Sequence, residues 1–281
     1  MKLSKAQLSK IIESCLAEDI GTGDITTNSI VPIGAQTSAV IHAKETGVIA
    51  GVDVAEAVFH FLSPTINFTA KVMDGELVGP GTVIAEVSGD AEVILTGERL
   101  ALNFLQRMSG VATRTAGLVA KVSDYAAKIV DTRKTTPGLR LLEKYAVRVG
   151  GGYNHRFGLY DAVLIKDNHI QVAGGIAKAI ELARYKISHT LKIEVEVESI
   201  AGVQEALAAG ADIIMLDNMD QNMMREAVAL IKGRALTEAS GGINEDNIQA
   251  VAAVGVDLIS VGALTHSVKA LDISLDIGQI K

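Results

Sequence analysis

The sequence is poor in cysteine, proline and tryptophan. Among its 281 residues there are one Cys, four Pro and no Trp. The single cysteine, Cys15, excludes a disulfide within the chain and is typical of a reducing compartment, so we expect a cytoplasmic protein. Few prolines together with 27 glycines are typical of many short connections between regular elements.

Positive charge and long apolar runs are also scarce. The chain has 26 Lys and Arg against 33 Asp and Glu, which gives a net charge of −7. This acidic balance argues against binding to nucleic acid or to a membrane surface. No apolar run approaches the roughly 20 residues of a membrane-spanning helix. The N-terminal stretch lacks the apolar core of a signal peptide and predicts an amphipathic helix that ends at Gly21.

The apolar residues, which make up 48% of the chain, follow two different patterns. Before residue 110, short segments with period-two alternation and Gly-rich turns predict antiparallel or mixed strands, with helical periodicity at 52–62 and 95–108. After it, short apolar runs that predict strands lie at 128–131, 162–166, 192–197, 212–217, 235–239 and 257–261. Helical stretches between them lie at 174–186, 199–209, 221–232 and 244–253. Such alternation of strand and helix predicts a parallel α/β sheet.

The number of predicted strands bears on the type of α/β fold. Six apolar runs are fewer than the eight strands of a complete α/β barrel. The dinucleotide fingerprint GxGxxG does not follow the first run, which weakens the case for a doubly wound sheet. We therefore predict a barrel with one or two missing or irregular strands.

Polar residues stand at the carboxyl end of every predicted strand. In chain order they are Asp131-Thr132-Arg133-Lys134, Lys166-Asp167-Asn168-His169, Glu194 with Glu196, Asp217-Asn218, Glu238 with Ser240-Gly241-Gly242, and Gly262-Ala263-Leu264-Thr265. Because the carboxyl ends of parallel strands meet on one face, where ligands bind, these residues predict one site.

The chemistry of this set points to a polyanionic substrate. Its cations are Arg133, Lys134, Arg156 and Lys166, with His155 beside Arg156. Glu196 and Asp217 offer oxygen atoms suited to Mg²⁺ or to ribose hydroxyls. The small residues 240–242 and 262–263 would let backbone N–H groups approach phosphates, the first at a helix capped by Asn244. Taken singly, Arg133-Lys134 could equally be a solvated charge run, and His155 a hydrogen-bonded surface histidine.

Several segments resemble the quinolinate phosphoribosyltransferase family. They are 131–170, 194–199, 215–219, 239–243 and 261–267, with further similarity at 23–26 and 97–113. The resemblance covers essentially the whole chain, and its central block of 40 residues is long and specific.

This resemblance implies an α/β fold with an N-terminal α/β sandwich-like domain (1–109), an incomplete six- or seven-stranded α/β barrel (110–268) and a tail (269–281) that returns to the first domain. It implies a glycosyltransferase of the pentosyltransferase type that joins quinolinate to 5-phosphoribosyl-1-pyrophosphate (PRPP). Mg²⁺ would accompany PRPP, and the products would be nicotinate mononucleotide, pyrophosphate and CO₂ for NAD biosynthesis. It also implies a homodimer with shared active sites and leaves a higher oligomer open.

Residue roles follow from the same resemblance. Arg133, His155 and Arg156 would bind the quinolinate carboxylates, with Thr132 in the same binding turn. Lys134 and Lys166 would lie close to both substrates, and Arg99 would come from the partner subunit. Glu196 and Asp217 would engage the ribose and Mg²⁺, and with the two lysines they form the predicted catalytic set. The loops around the PRPP phosphate would be Ser240, Gly241 and Gly242, and Gly262, Ala263 and Leu264. Asp131 is interpreted as a structural partner of the neighbouring bases.

Other interpretations were weighed against this family. The segment 129–138 also resembles the PRPP loop of the orotate and purine phosphoribosyltransferases, but it has a single acid and an intervening Pro137. Lys166 could serve a Schiff-base aldolase, although the two acids and two phosphate loops would then have no role. The stretch 72–89, with Lys71 beside it, resembles a biotinyl or lipoyl carrier module. A homologue associated with molybdenum transport is the nearest alternative within the family.

Overall fold

The computed structural model describes residues 3–278, which form two compact units. The first unit contains the residues up to Ala116, Thr135–Gly151 and the residues from Ser267 onward. The second unit contains Gly117–Lys134 and Gly152–His266. The predicted boundaries lay after residues 109 and 268 and did not assign 135–151 to the first unit.

The first unit contains the long helices of the N-terminal half. These are α1 (Lys5–Ile20), α2 (Ile25–Ile30), α3 (Val52–Leu62), α4 (Ala91–Lys121), whose residues from Gly117 belong to the second unit, and α5 (Arg140–Val149). The predictions of α1, which ends at Gly21, and of α3 are confirmed. The helix predicted at 95–108 is longer than expected, and α5 was not predicted. Although α4 has 31 residues, no helix in the described part of the chain is long and apolar enough to cross a membrane.

The strands of the first unit are short and antiparallel. They are β1 (Gln36–Ala43), β2 (Gly47–Val48), β3 (Asn67–Ala70), β4 (Leu77–Val78) and β5 (Val83–Asp90). β1 pairs with β5 and β5 with β3, while β2 and β4 form a separate pair. The alternation seen before residue 110 therefore predicted these elements correctly.

The second unit contains a parallel sheet whose strands match the predicted apolar runs. They are β6 (Lys128–Val130), β7 (Val163–Ile165), β8 (Ile193–Val197), β9 (Ile213–Asp217), β10 (Leu236–Ser240) and β11 (Leu258–Ser260). Their order in the sheet is β6-β11-β10-β9-β8-β7, so the first strand lies beside the last. Between these strands lie α6 (Asp167–Ala173), α7 (Ile176–Lys186), α8 (Ile200–Ala208), α9 (Gln221–Ile231) and α10 (Ile248–Ala252), and α11 (Ala263–His266) follows β11.

A single residue extends this sheet on the open side of β6. Tyr153 forms a parallel bridge with Val130. Its N–H donates to Ile129 O at 2.8 Å, and its carbonyl accepts from Asp131 N–H at 3.0 Å. Six strands and this one-residue extension confirm the predicted α/β class with an incomplete barrel.

Asp167, Asn168 and His169, which follow the predicted strand at 162–166, begin α6, where Lys166 N–H donates to His169 Nδ1 at 3.0 Å. One local prediction was wrong. Asn244 is not the cap of the following helix, since α10 begins at Ile248. A turn precedes it, in which Asn244 N–H donates to Asn247 Oδ1 at 2.9 Å.

The C-terminal strand β12 (Ile273–Ile277) completes the sheet of the first unit. It pairs antiparallel with β1 along five residue pairs, from Ala39 opposite Ile277 to Ala43 opposite Ile273. The order of this sheet is therefore β12-β1-β5-β3. The last described strand of the chain thus lies beside the first.

Candidate active site

A cavity of about 540 Å³ lies in the second unit, at the carboxyl ends of the parallel strands. Its lining is mainly polar and comprises Thr132, Arg133, Lys134, His155, Arg156, Leu164, Lys166, Glu196, Met215, Asp217, Asn218, Glu238, Ser240, Gly241, Gly242 and Ser260. The cavity therefore brings together residues that are more than 120 positions apart in the sequence, as the strand-end argument predicted.

Two arginines contribute neighbouring positive charges to this cavity. Burial is the main cause that lowers the pKa of Arg156, and the nearby charge of Arg133 lowers it further. Glu194 and Asp161 oppose this shift. Arg156 Nη1 donates to Ala162 O at 3.2 Å, which anchors the guanidinium to the chain that leads into β7. Such a pair of guanidinium groups is suited to two adjacent carboxylates.

Lys166 and Glu196 form an ion pair across neighbouring strands. Strands β7 and β8 pair so that Ile165 lies opposite Val195, which places the next cavity-lining residues side by side. Lys166 Nζ donates to Glu196 Oε2. The lysine side chain is about half exposed and the glutamate is mostly buried. The pair therefore presents both a cation and a carboxylate at one wall of the cavity.

The buried carboxylates of Glu194 and Glu238 both lie close to the imidazole of His155. His155 Nε2 lies 2.9 Å from Glu194 Oε2 and 3.6 Å from Glu238 Oε1. Both glutamates are buried, and each has one carboxylate oxygen without a hydrogen-bond partner among the described residues. Burial, and then the charge of Glu194, raises the pKa of Glu238 to about 7. The cost of placing two carboxylates together in a buried site accounts for this direction.

The three side chains are spaced as the ligands of a metal ion would be, but the hydrogen bond at His155 Nδ1 does not suit a metal ligand. Their candidate ligand atoms all lie within 4.8 Å of one another. However, His155 Nδ1 accepts the backbone N–H of Arg156 at 2.7 Å, so the ring proton lies on Nε2, toward Glu194. A metal ion would need the lone pair of Nε2. In this arrangement His155 Nε2 faces Glu194 as a donor and offers no lone pair to a metal ion.

Asp131 supports this cluster from the end of β6. It is fully buried, and its carboxylate accepts from Asn154 Nδ2 at 2.6 Å and from His155 N–H at 2.8 Å. The aspartate thus ties β6 to the segment that carries His155 and Arg156. The sequence had predicted a structural role for Asp131, but toward the adjacent bases and not toward this segment.

Asp217 is the last residue of β9, and Asn218 follows it. Asn218 Nδ2 donates to Asp217 Oδ2 at 2.6 Å. Glu196 on β8 and Asp217 on the adjacent strand β9 place two carboxylates in the same cavity. This donor set fits Mg²⁺, which binds through one or two carboxylates together with substrate oxygens.

Some predicted site residues do not line the cavity. Arg99 lies on α4 in the first unit, 60% exposed, with its Nη2 3.8 Å from Glu98 Oε1. Gly262, Ala263 and Leu264 are not among the lining residues either. Gly262 lies next to the lining residue Lys134, since a Cβ on Gly262 would lie 3.0 Å from Lys134 Cδ. In the same segment Thr265 Oγ1 donates to Lys134 O at 2.7 Å.

Five lining residues were assigned no role in the predicted site. They are Leu164, Met215, Asn218, Glu238 and Ser260. Leu164 and Met215 look like ordinary core residues in the sequence, and Ser260 ends a short apolar run. Glu238 and Asn218 stood among the polar strand ends, which was the available signal. A buried acid in β10, a strand with otherwise uncharged residues, is the feature that could have identified Glu238.

Taken together, the fold and the cavity are those of an enzyme of the α/β-barrel type, with a polar site at the carboxyl ends of its strands. A sequence model described as quinolinate phosphoribosyl transferase, C-terminal domain, matches residues 111–276. The model for the N-terminal domain of the same family matches residues 24–109. The chain belongs to the quinolinate phosphoribosyltransferase family.

Individual relatives agree over nearly the full length. The chain is 48% identical over 276 residues to a probable nicotinate-nucleotide pyrophosphorylase (carboxylating) of Bacillus subtilis, covering 98% of this chain and 95% of the relative. It is 45% identical over 289 residues to a chloroplastic nicotinate-nucleotide pyrophosphorylase (carboxylating) of Arabidopsis thaliana, covering 96% and 82%. Among solved structures, NadC of Streptococcus pyogenes superposes with a TM-score of 0.95 at 44% identity and covers all of both chains.

Proposed function

We propose that this chain transfers the phosphoribosyl group of PRPP to the ring nitrogen of quinolinate and releases pyrophosphate and CO₂. The product is nicotinate mononucleotide, which supplies de novo NAD biosynthesis. The observation that carries the proposal is the cationic cavity at the strand ends of a chain that belongs to this enzyme family.

The charge of the cavity matches the charge of both substrates. Quinolinate carries two carboxylates, and PRPP carries phosphate and pyrophosphate groups. Arg133 and Arg156 would bind the quinolinate carboxylates through bidentate hydrogen bonds, with Thr132 in the same turn. Lys134 and Lys166, as compact charges, would lie near the meeting point of the two substrates. The backbone N–H groups of residues 240–242 would approach a phosphate of PRPP.

The transfer itself needs no general base, because the lone pair of the pyridine nitrogen attacks the anomeric carbon of the ribose directly. The residues therefore act by positioning both substrates and by stabilising the positive charge of the ribose and the departing pyrophosphate. Glu196 and Asp217 would engage the ribose hydroxyls and hold Mg²⁺. When bound, this ion would neutralise charge on the pyrophosphate.

Loss of CO₂ would follow the transfer. Once the ring nitrogen is alkylated, its positive charge can stabilise the electron pair left at the adjacent carbon, which then takes up a proton from solvent to give nicotinate mononucleotide. We hypothesise that Arg133 and Arg156 orient the carboxylates so that this charge develops next to the ring nitrogen, while the apolar side chains of Leu164 and Met215 contact the ring. Accumulation of the dicarboxylated mononucleotide in an Arg156→Lys variant would support this order of steps, whereas its absence from every slow variant would contradict it.

We further propose a homodimer with shared active sites in the cytoplasm. Arg99 supports this arrangement. It is an exposed cation, and the family resemblance implies that the arginine at this position reaches the site of the neighbouring subunit.

A direct assay tests the function. The protein is incubated with quinolinate, PRPP and Mg²⁺, while nicotinate mononucleotide and released CO₂ are followed in parallel. We expect equal amounts of both products and no reaction of nicotinate in place of quinolinate. Turnover of nicotinate without CO₂ release, or no turnover of quinolinate, would refute the proposal.

A further inference from the structure

Asn218 occupies an uncommon backbone conformation at the edge of the cavity. Its φ is +52°, and within residues 3–278 the only other non-glycine residue with positive φ is Lys232. Asparagine tolerates this left-handed region better than most residues because its short side chain bonds locally. The conformation allows the side chain to fold back onto the preceding residue. There Nδ2 donates to Asp217 Oδ2 at 2.6 Å.

The neighbouring strand is shaped to accept this conformation. Asn218 N–H donates to Ser240 O at 3.0 Å, which continues the β9–β10 ladder past its last pair, Asp217 with Ser240. Gly241 follows with φ +91°, and a Cβ there would overlap Asn218 Oδ1 and lie 2.9 Å from Asn218 N. Any other residue at position 241 would therefore displace Asn218. The glycine that was predicted to approach a phosphate has a second, structural reason to be glycine.

We infer that Asn218 is a positioning residue that orients the carboxylate of Asp217 toward the ribose and metal of PRPP. The inference rests on the proposed function. Asn218 uses one oxygen of Asp217 and, in the part of the chain that the structure describes, Asp217 Oδ1 has no hydrogen-bond partner. The hydrogen bond restrains the carboxylate through Oδ2 and leaves Oδ1 of this cavity-lining residue for a ligand. Partners of this kind commonly change metal affinity or activity by about 10- to 100-fold.

Three variants separate the side chain of Asn218 from its backbone. Asn218→Gly keeps the left-handed conformation and removes the amide. Asn218→Asp keeps size and conformation but replaces the donor with a second carboxylate next to Asp217. Lys232→Gly is the matched control, because it changes the other left-handed residue, at the end of α9 and outside the cavity.

Binding of PRPP is measured by calorimetry with Mg²⁺ and with phthalate, which has the two adjacent carboxylates of quinolinate but no ring nitrogen to react. For Asn218→Gly we expect about a tenfold weaker PRPP affinity, a higher half-saturating Mg²⁺ concentration and an unchanged phthalate affinity. Asn218→Asp should be weaker still, since two adjacent carboxylates repel each other. Lys232→Gly should bind like the parent. Thermal midpoints of the two glycine variants should change by similar small amounts.

A double substitution adds a second criterion. Gly241→Ala alone should weaken PRPP binding, whereas in the Asn218→Gly background it should add less than it does alone, since the overlapping side chain is gone. Unchanged PRPP affinity in both Asn218 variants, or an equal loss of phthalate affinity, would overturn the inference. Failure of the unsubstituted protein to form nicotinate mononucleotide would instead refute the proposed function.

Discussion

His155 Nε2 lies 2.9 Å from Glu194 Oε2, while the other ring nitrogen of His155 accepts the backbone N–H of Arg156. Both nitrogens of the imidazole are thus engaged by the protein, Nδ1 as an acceptor and Nε2 toward the carboxylate of Glu194. The family resemblance implied that His155 binds a carboxylate of quinolinate. His155 lines the cavity, so that role stays a prediction, and the ring also accepts the backbone N–H of Arg156.

The protonation of His155 can be observed directly. Nitrogen-15 chemical shifts of the imidazole at neutral pH should show the Nε2–H tautomer, because an N–H at Nδ1 would face the N–H of Arg156. In Glu194→Ala the Nε2–H resonance should shift strongly, since its acceptor is lost. An imidazolium or an Nδ1–H tautomer in the unliganded protein would contradict this assignment.

Glu238 should make stability depend on pH. Its pKa in the folded protein is raised to about 7 from an ordinary value of 4.5, so the folded state binds a proton more tightly than the unfolded state. The stability that this proton contributes is complete below pH 4.5 and is lost as pH rises through about 7, with a total on the order of 3 kcal/mol. Glu238→Gln should lose this dependence and gain stability relative to the parent at pH 8, as measured by urea unfolding. The exposed Glu226→Gln serves as the control, and parallel pH profiles for Glu238→Gln and the parent would contradict the assignment.

Arg156 should not be replaceable by lysine. Lysine keeps the charge but loses the planar fork that bonds a carboxylate at two points, each such bond contributing about 1.5–3 kcal/mol. In Arg156→Lys the KM for quinolinate should therefore rise at least about tenfold, while the KM for PRPP changes less. Arg225→Lys, on an exposed face of α9, is the matched control. A proportional rise in both KM values would argue against a specific role in carboxylate binding.

Asp131 should contribute to the stability of the fold rather than to substrate binding. In Asp131→Ala the N–H of His155 and the amide of Asn154 lose their buried acceptor. Each such loss costs about 1–3 kcal/mol, so the free energy of unfolding should fall by a few kcal/mol. Asp131→Asn, which retains one carbonyl acceptor, should lie between the two proteins in chemical unfolding. An unfolding free energy of Asp131→Ala within error of the parent would show that other groups satisfy these donors.

Mixing two inactive variants tests the shared site. If Arg99 of one subunit completes the site that contains Lys134 of the other, each mixed dimer of Arg99→Ala and Lys134→Ala has one intact site and one doubly altered site. Random exchange makes half of the dimers mixed, so about a quarter of the parent activity should return. Stable mixed dimers without activity would count against a shared site. Sedimentation measurements on the mixture establish that exchange has occurred.

Much of the fold follows from local patterns that are visible in the sequence. The runs that became β6 to β11 are short, apolar and followed by polar residues, so both the strands and their ligand-facing ends could be predicted. The return of β12 to β1 followed from family resemblance alone, because the sequence of β12 does not say which edge it will pair with. The start of α6 at Asp167 could not be read either, since it depends on a hydrogen bond from Lys166 N–H to an imidazole three residues later.

The site was predictable in its composition but not in its internal connections. Strand-end charges identified Arg133, Lys166, Glu196 and Asp217 as neighbours. The acid pair below the arginines depends on how β8 and β10 place Glu194 and Glu238 around His155, which periodicity cannot show. The left-handed Asn218 next to Gly241 likewise arises from the register of β9 and β10.

The pairing of β12 with β1 has a consequence for how the protein is made. During synthesis the N-terminal strands emerge from the ribosome first, but the edge of β1 that receives β12 stays open until residues 273–277 have emerged. An exposed strand edge is a template for pairing with other chains. We expect ribosome-bound chains truncated before residue 273 to depend on chaperones and to aggregate more readily than the finished protein. The segment that closes this sheet edge is therefore translated more than 200 residues after the strand it pairs with.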